Sequence, residues 1–64
     1  MEVNAQNIKD LREKMHLSQV AFGKEVGVSW MTVLRWEKGR HLPKGEAVLR
    51  ILEELNKSTN SENS

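Results

Sequence analysis

The chain has no cysteine and no tyrosine, one proline, one phenylalanine and two tryptophans in 64 residues. Without cysteine there is no disulfide framework and no thiolate metal site, which suits a reducing, cytoplasmic setting. No apolar run approaches the roughly 20 residues of a membrane span. The opening MEVNAQN has no apolar segment of the signal-peptide type. No segment alternates apolar and polar residues as a half-buried strand does. A domain of this size buries only about 60% of the surface its unfolded chain exposes. That allows one small core but not the deep, water-excluded cleft that most catalysis needs.

What is present reads as four helices. Asn4 is a candidate N-cap, followed by Ile8, Leu11 and Met15 on one face, with His16 just past the end. Ser18 opens a second helix through about Val26, with Phe22 and Val26 on its buried side. Gly27 supplies the positive φ of a sharp helix exit, Ser29 caps a third helix, and Gly39 ends it. Pro43 then precedes a fourth helix, expected from about Lys44 to Asn56, with an apolar stripe of Ala47, Val48, Ile51, Leu52 and Leu55. Gly23 stands inside the second helix, where glycine costs about 1 kcal/mol relative to alanine. Close approach of another helix is the expected reason. The polar KSTNSENS of residues 57–64 has no apolar anchor and is expected to be a disordered tail, leaving one domain over residues 1–56.

Two short helices joined by a glycine-containing turn form a helix-turn-helix, whose second helix enters the major groove of DNA. The charge distribution agrees with that placement. Residues 24–44 hold Lys24, Arg35, Lys38, Arg40 and Lys44 against Glu25 and Glu37, a net of +3, whereas residues 1–23 are neutral and residues 45–64 carry −2. At about 100° per residue, Val33 and Trp36 share one face of the third helix. Met31, Leu34, Arg35 and Lys38 lie opposite, with Trp30 at the border. Arg35 can donate two hydrogen bonds to a guanine edge. Met31, Leu34 and Trp30 can pack on thymine methyls or sugars, and Lys38 suits a phosphate. Trp36 reads as core, while Trp30 is balanced between partial burial and contact with DNA or a partner.

Catalytic and cofactor patterns are missing. His16 and His41 have no Cys, Asp or Glu at ligand spacing, no Ser–His–acid set is evident, and Gly23-Lys24 lacks the rest of a P-loop. His41 beside Arg40 reads better as a phosphate contact than as a catalytic base. No enzyme activity, metal or cofactor is expected. With Trp30 as the one exposed aromatic, double-stranded DNA is preferred to RNA.

The ordered set Ile8-x-x-Leu11-Arg12, Leu17-Ser18-Gln19, Phe22-Gly23-x-x-Val26-Gly27-Val28-Ser29, Thr32-Val33-x-x-Trp36-Glu37-x-Gly39 and Pro43 resembles the Cro/repressor-type helix-turn-helix family, also called the xenobiotic-response-element type. The resemblance runs from about Ile8 to Leu55 and implies an all-α, compact four-helix, lambda-repressor-like DNA-binding domain. It implies that Gln19 and nearby backbone amides anchor a phosphate. It places Trp30, Met31 and Arg35 at base-facing positions with Ser29 beside them, and pairs Arg12 with Glu37 across helices. Gly23 departs from the usual alanine, and Trp30 and Met31 stand where polar readers are common. The chain also ends one helix after Pro43, where many relatives have another that helps dimerise. The segment after Pro43 looks more like short antitoxin-type regulators than phage repressors.

The resulting expectation is a sequence-specific double-stranded DNA-binding transcriptional regulator, a repressor acting by operator occupancy. Base contacts fall to Ser29, Trp30, Met31 and Arg35, and phosphate contacts to Ser18, Gln19, Lys38 and Arg40. Its partner is a palindromic operator bound by a homodimer, with no membrane involved. Two alternatives stand beside it: an antitoxin-like module that neutralises a toxin-like protein partner, with DNA binding secondary, and a DNA-binding module excised from a longer protein.

Overall fold

Asn4, Ser18 and Ser29 each adopt extended backbone and turn a side-chain oxygen onto an amide at the start of a helix. Asn4 Oδ1 accepts from Asn7 N at 2.8 Å, Ser18 Oγ from Ala21 N at 3.1 Å, and Ser29 Oγ from Thr32 N at 3.3 Å. Each satisfies one of the amides a helix start leaves unpaired. The computed structural model describes residues 1–61, which form α1 (Ala5–Lys14), α2 (Gln19–Val26), α3 (Trp30–Glu37) and α4 (Glu46–Ser61). Among the described residues there is no strand.

The helix exits follow from backbone sterics. Gly27 and Gly39 take φ of 91° and 76°, the left-handed region where a Cβ is penalised. After α3, Gly39 N donates to Trp36 O at 3.1 Å and Arg40 N to Arg35 O at 3.1 Å, the double closure of a Schellman turn. The same closure ends α1, but there the left-handed residue is His16, at φ 58°.

Gly23 is buried, and the reason differs from the expected helix contact. A Cβ on it would lie 2.5 Å from the carbonyl oxygen of Val28. The nearest neighbour is therefore the turn itself, folded back onto α2, with the N-cap Ser29 of α3 next at 3.3 Å. Gly23 O accepts from both Gly27 N (2.7 Å) and Val28 N (2.8 Å). The bare glycine lets the turn close this tightly.

The core gathers Ile8 and Leu11 of α1, Phe22 and Val26 of α2, Val33 and Trp36 of α3, and Leu52 of α4. Val48, Ile51 and Leu55 pack at its edge, and Pro43 is buried in the loop before α4. Ala47, placed by periodicity at one edge of the apolar stripe, is exposed, while Val48 in the same first turn of α4 packs against the core.

Both ends of the fourth helix differ from the sequence expectation. It starts after Gly45, whose φ of 93° re-aims the chain, so Lys44 lies outside it. It continues past Asn56 to Ser61 where a disordered tail was expected. The stretch contains no glycine or proline to break the ladder, and Thr59 Oγ1 donates to Leu55 O at 2.9 Å. The expectation for residues 62–64 lies outside the described residues.

Candidate nucleic-acid interface

The third helix has two opposed faces. Val33 and Trp36 are buried, Trp36 to 4% exposure, while Trp30 and Met31 remain 46% and 41% exposed. Arg35 and Lys38 are exposed as well, and Leu34 is half-buried at the edge of that face. At 1.5 Å per residue the eight residues of α3 span about 12 Å, close to the width of a major groove. Trp30 is thus partly buried and still offers a large exposed surface.

The other candidate residues divide by what they already bond. Ser18 uses an oxygen lone pair on Ala21 N and keeps a hydroxyl hydrogen to donate. Ser29 Oγ accepts from Thr32 N and sits 3.2 Å from Thr32 Oγ1, so these two hydroxyls share one bond and offer one outward hydrogen between them. Thr32 stood in the family motif but not among the expected site residues. Its place three residues after the N-cap Ser29, where the capped amide belongs, was the signal that could have found it. Arg40 and His41 are exposed in the loop after α3, as are Lys24 at the end of α2 and Lys44 beside Pro43.

Behind this surface lies a charged clamp. Arg12 Nε donates to Glu37 Oε2 at 2.7 Å and Arg12 Nη2 to Glu37 Oε1 at 3.2 Å, a two-bonded fork between α1 and α3. Arg12 Nη1 donates to Leu17 O at 3.0 Å, securing the loop into α2. Gln19 Nε2 donates to Glu37 Oε1 at 3.3 Å. The side chains are well covered, 16% exposed for Arg12 and 6% for Glu37. The hydrogen bond to Glu37 holds the Arg12 guanidinium above its ordinary pKa, outweighing desolvation, with attraction to Glu37 and Glu13 adding to it.

Gln19 thus belongs to the clamp, a role that sequence reasoning missed because it depends on how α2 packs against α3. Its amide has two hydrogens, so one bond to Glu37 leaves one for another acceptor. The clamp also changes the meaning of the local charge. Glu37 faces inward against Arg12, so of the two acids counted within the basic segment Glu25 alone is exposed to offset the outward bases.

A small helix, a tight turn on Gly27 and a second helix with one buried and one exposed face are thus in place. The helix-turn-helix family model matches residues 8–60. The chain belongs to this family. Its type is the Cro/repressor one, an all-α fold of DNA-binding transcription regulators. Family membership implies double-stranded DNA as the ligand, and the family is a binding family, not typically an enzymatic one. No curated protein and no solved structure matches the chain. Among the described residues no helix is long and apolar enough to cross a membrane.

Proposed function

We propose that this protein represses transcription by occupying an operator, reading sequence with the exposed face of α3. The observation that carries the reading is the division of that helix: Val33 and Trp36 hold it in the core while Trp30, Met31 and Arg35 stand outward. Arg35, Trp30, Met31 and the Ser29–Thr32 hydroxyl pair reach base edges. Ser18, Gln19, Lys38 and Arg40 hold the phosphates on either side. Phosphate contacts fix register, and base contacts carry the sequence information. A repressor of this kind acts in the cytoplasm, where its operator is.

Each chain supplies one reading helix, and its longest dimension is 33 Å. Tight binding therefore takes a homodimer on a palindrome, with half-sites about 34 Å apart, one turn of the duplex. Selection of bound duplexes from a random pool, at stated salt, tests this. A recovered palindrome with that spacing is expected, and a pool that stays random refutes the proposal. A second reading is antitoxin-like, with a partner protein covering the loop and α4. Leu42 and Leu49, 41% and 38% exposed, favour it. Loss of DNA selectivity together with saturable capture of a toxin-like protein would favour this reading instead.

A further inference from the structure

We propose that the first turn of α3 reads the C5 methyl group of a 5-methylpyrimidine lying near a guanine held by Arg35. This rests on the DNA-regulator reading above and specifies what its reading helix recognises. Trp30 and Met31 are large apolar side chains at the start of that helix, and both are left more than two-fifths exposed. They are not surplus core, since the opposite face of the same helix already fills the core with Val33 and Trp36.

The chemistry of the surroundings selects the occupant. Among base edges in the major groove, the pyrimidine C5 methyl is the apolar group on offer; the rest of the code is donors and acceptors. Polar readers on this turn are few. Ser29 and Thr32 bond each other and keep one hydroxyl hydrogen between them, and the Gln19 amide is turned partly to Glu37. Lys24, Arg35, Lys38, Arg40 and Lys44 are exposed in the segment that holds this turn, against one exposed acid, Glu25, while Glu37 is folded inward onto Arg12. An apolar contact within a basic segment, in a family whose ligand is double-stranded DNA, fits a polyanion that presents methyl groups and suits a purely apolar partner less well. Met31 and Arg35 are four residues apart, about 6 Å of helix rise against about 3.4 Å per base step. The methyl and the guanine therefore fall within about two base pairs of each other. Thymine and 5-methylcytosine both present this methyl.

The test uses the duplex recovered by random-pool selection. Each thymine is replaced in turn by deoxyuridine, which removes the methyl alone. Affinity should fall about fourfold or more at a position near the Arg35-dependent guanine, the factor that burial of one methyl is worth. In a chain carrying Trp30→Ala and Met31→Ala the same replacement should change affinity by less than about twofold. If that variant melts below the wild type, Met31→Gln alone serves as the second probe. Cytosine and 5-methylcytosine at the sensitive position separate the sources. A gain on methylation assigns the contact to either base, and a preference for thymine over both assigns it to thymine. Uridine replacement that is neutral everywhere, on a duplex still bound selectively, overturns the methyl assignment and leaves the regulator reading standing. Unchanged sensitivity in both variants overturns the roles of Trp30 and Met31. Failure to recover any preferred duplex overturns this proposal and the regulator reading together.

Discussion

Cutting the clamp between α1 and α3 should cost more than a surface ion pair is worth, and unequally from its two ends. Exposed pairs contribute about 0–1 kcal/mol, while removing one partner of a fully buried pair costs about 3–5 kcal/mol. Arg12 at 16% and Glu37 at 6% exposure lie between these limits. Arg12→Ala leaves the covered Glu37 carboxylate with Gln19 as its remaining side-chain donor, and should destabilise by about 2–3 kcal/mol. Glu37→Ala leaves a more exposed guanidinium that still reaches Leu17 O, and should cost about 1–2 kcal/mol. The double variant should lose less than the sum, by a coupling of about 1–2 kcal/mol. In a domain this small each kcal/mol moves Tm by about 4–8 °C, so circular dichroism melts of the four proteins resolve the cycle. The raised Arg12 pKa also sets a sign. A base whose folded-state pKa is raised contributes fully below its unfolded value and loses that contribution only as pH rises through the folded one. For a guanidinium this lies far on the alkaline side, so Arg12 protonation adds no slope to stability between neutral pH and about pH 10. Additivity within about 0.5 kcal/mol would refute the clamp and leave two independent surface charges.

Trp36→Ala should cost about 3–5 kcal/mol, comparable with the whole stability of a domain this small; a cooperative melt near that of the wild type would sink this placement. Gly23→Ala gains about 1 kcal/mol of helix propensity but drives a methyl against the Val28 carbonyl, where overpacking costs about 1–3 kcal/mol. The variant should gain no stability and should shift the amide resonances of Val28 and Ser29, so a Tm rise with unmoved resonances contradicts the contact. His16→Gly relieves a left-handed non-glycine residue and should be neutral to stabilising by up to about 1 kcal/mol in a urea titration; a loss of more than that would mean the imidazole itself holds structure. Arg35→Ala should lose about 1–3 kcal/mol on the selected duplex and flatten preference at one position per half-site. Lys38→Ala and Arg40→Ala should instead weaken all duplexes alike and lower the salt slope by about 1 each, and equal losses on selected and random DNA for Arg35→Ala would remove it from the readers.

Much of the architecture was legible because its signals are local. Asn4, Ser18 and Ser29 cap the amides of their own first turns, and Gly27 and Gly39 supply positive φ within one residue of a helix end. The spacing of Ile8 and Leu11, of Phe22 and Val26, and of Val33 and Trp36 identifies the faces that become the core. Helix period and cap chemistry act over a few residues, so they survive in one dimension. The division of α3 into a buried and an outward face belongs with these.

What required the tertiary structure involves groups distant in sequence or balances between weak terms. The family resemblance already paired Arg12 with Glu37, but Gln19 joins them because three helices converge, and nothing in its own neighbourhood marks it as a donor to that carboxylate. Gly23 announced itself as an anomaly, but only the folded turn shows that the crowding atom is the Val28 carbonyl. The extension of α4 to Ser61 overrides a polar composition, since a ladder already nucleated continues at little cost where no breaker intervenes. Helix period also put Ala47 on the apolar stripe of α4, whereas the fold leaves it exposed and packs Val48 beside it against the core. Periodicity states which side chains share a face, and packing decides which of them are covered.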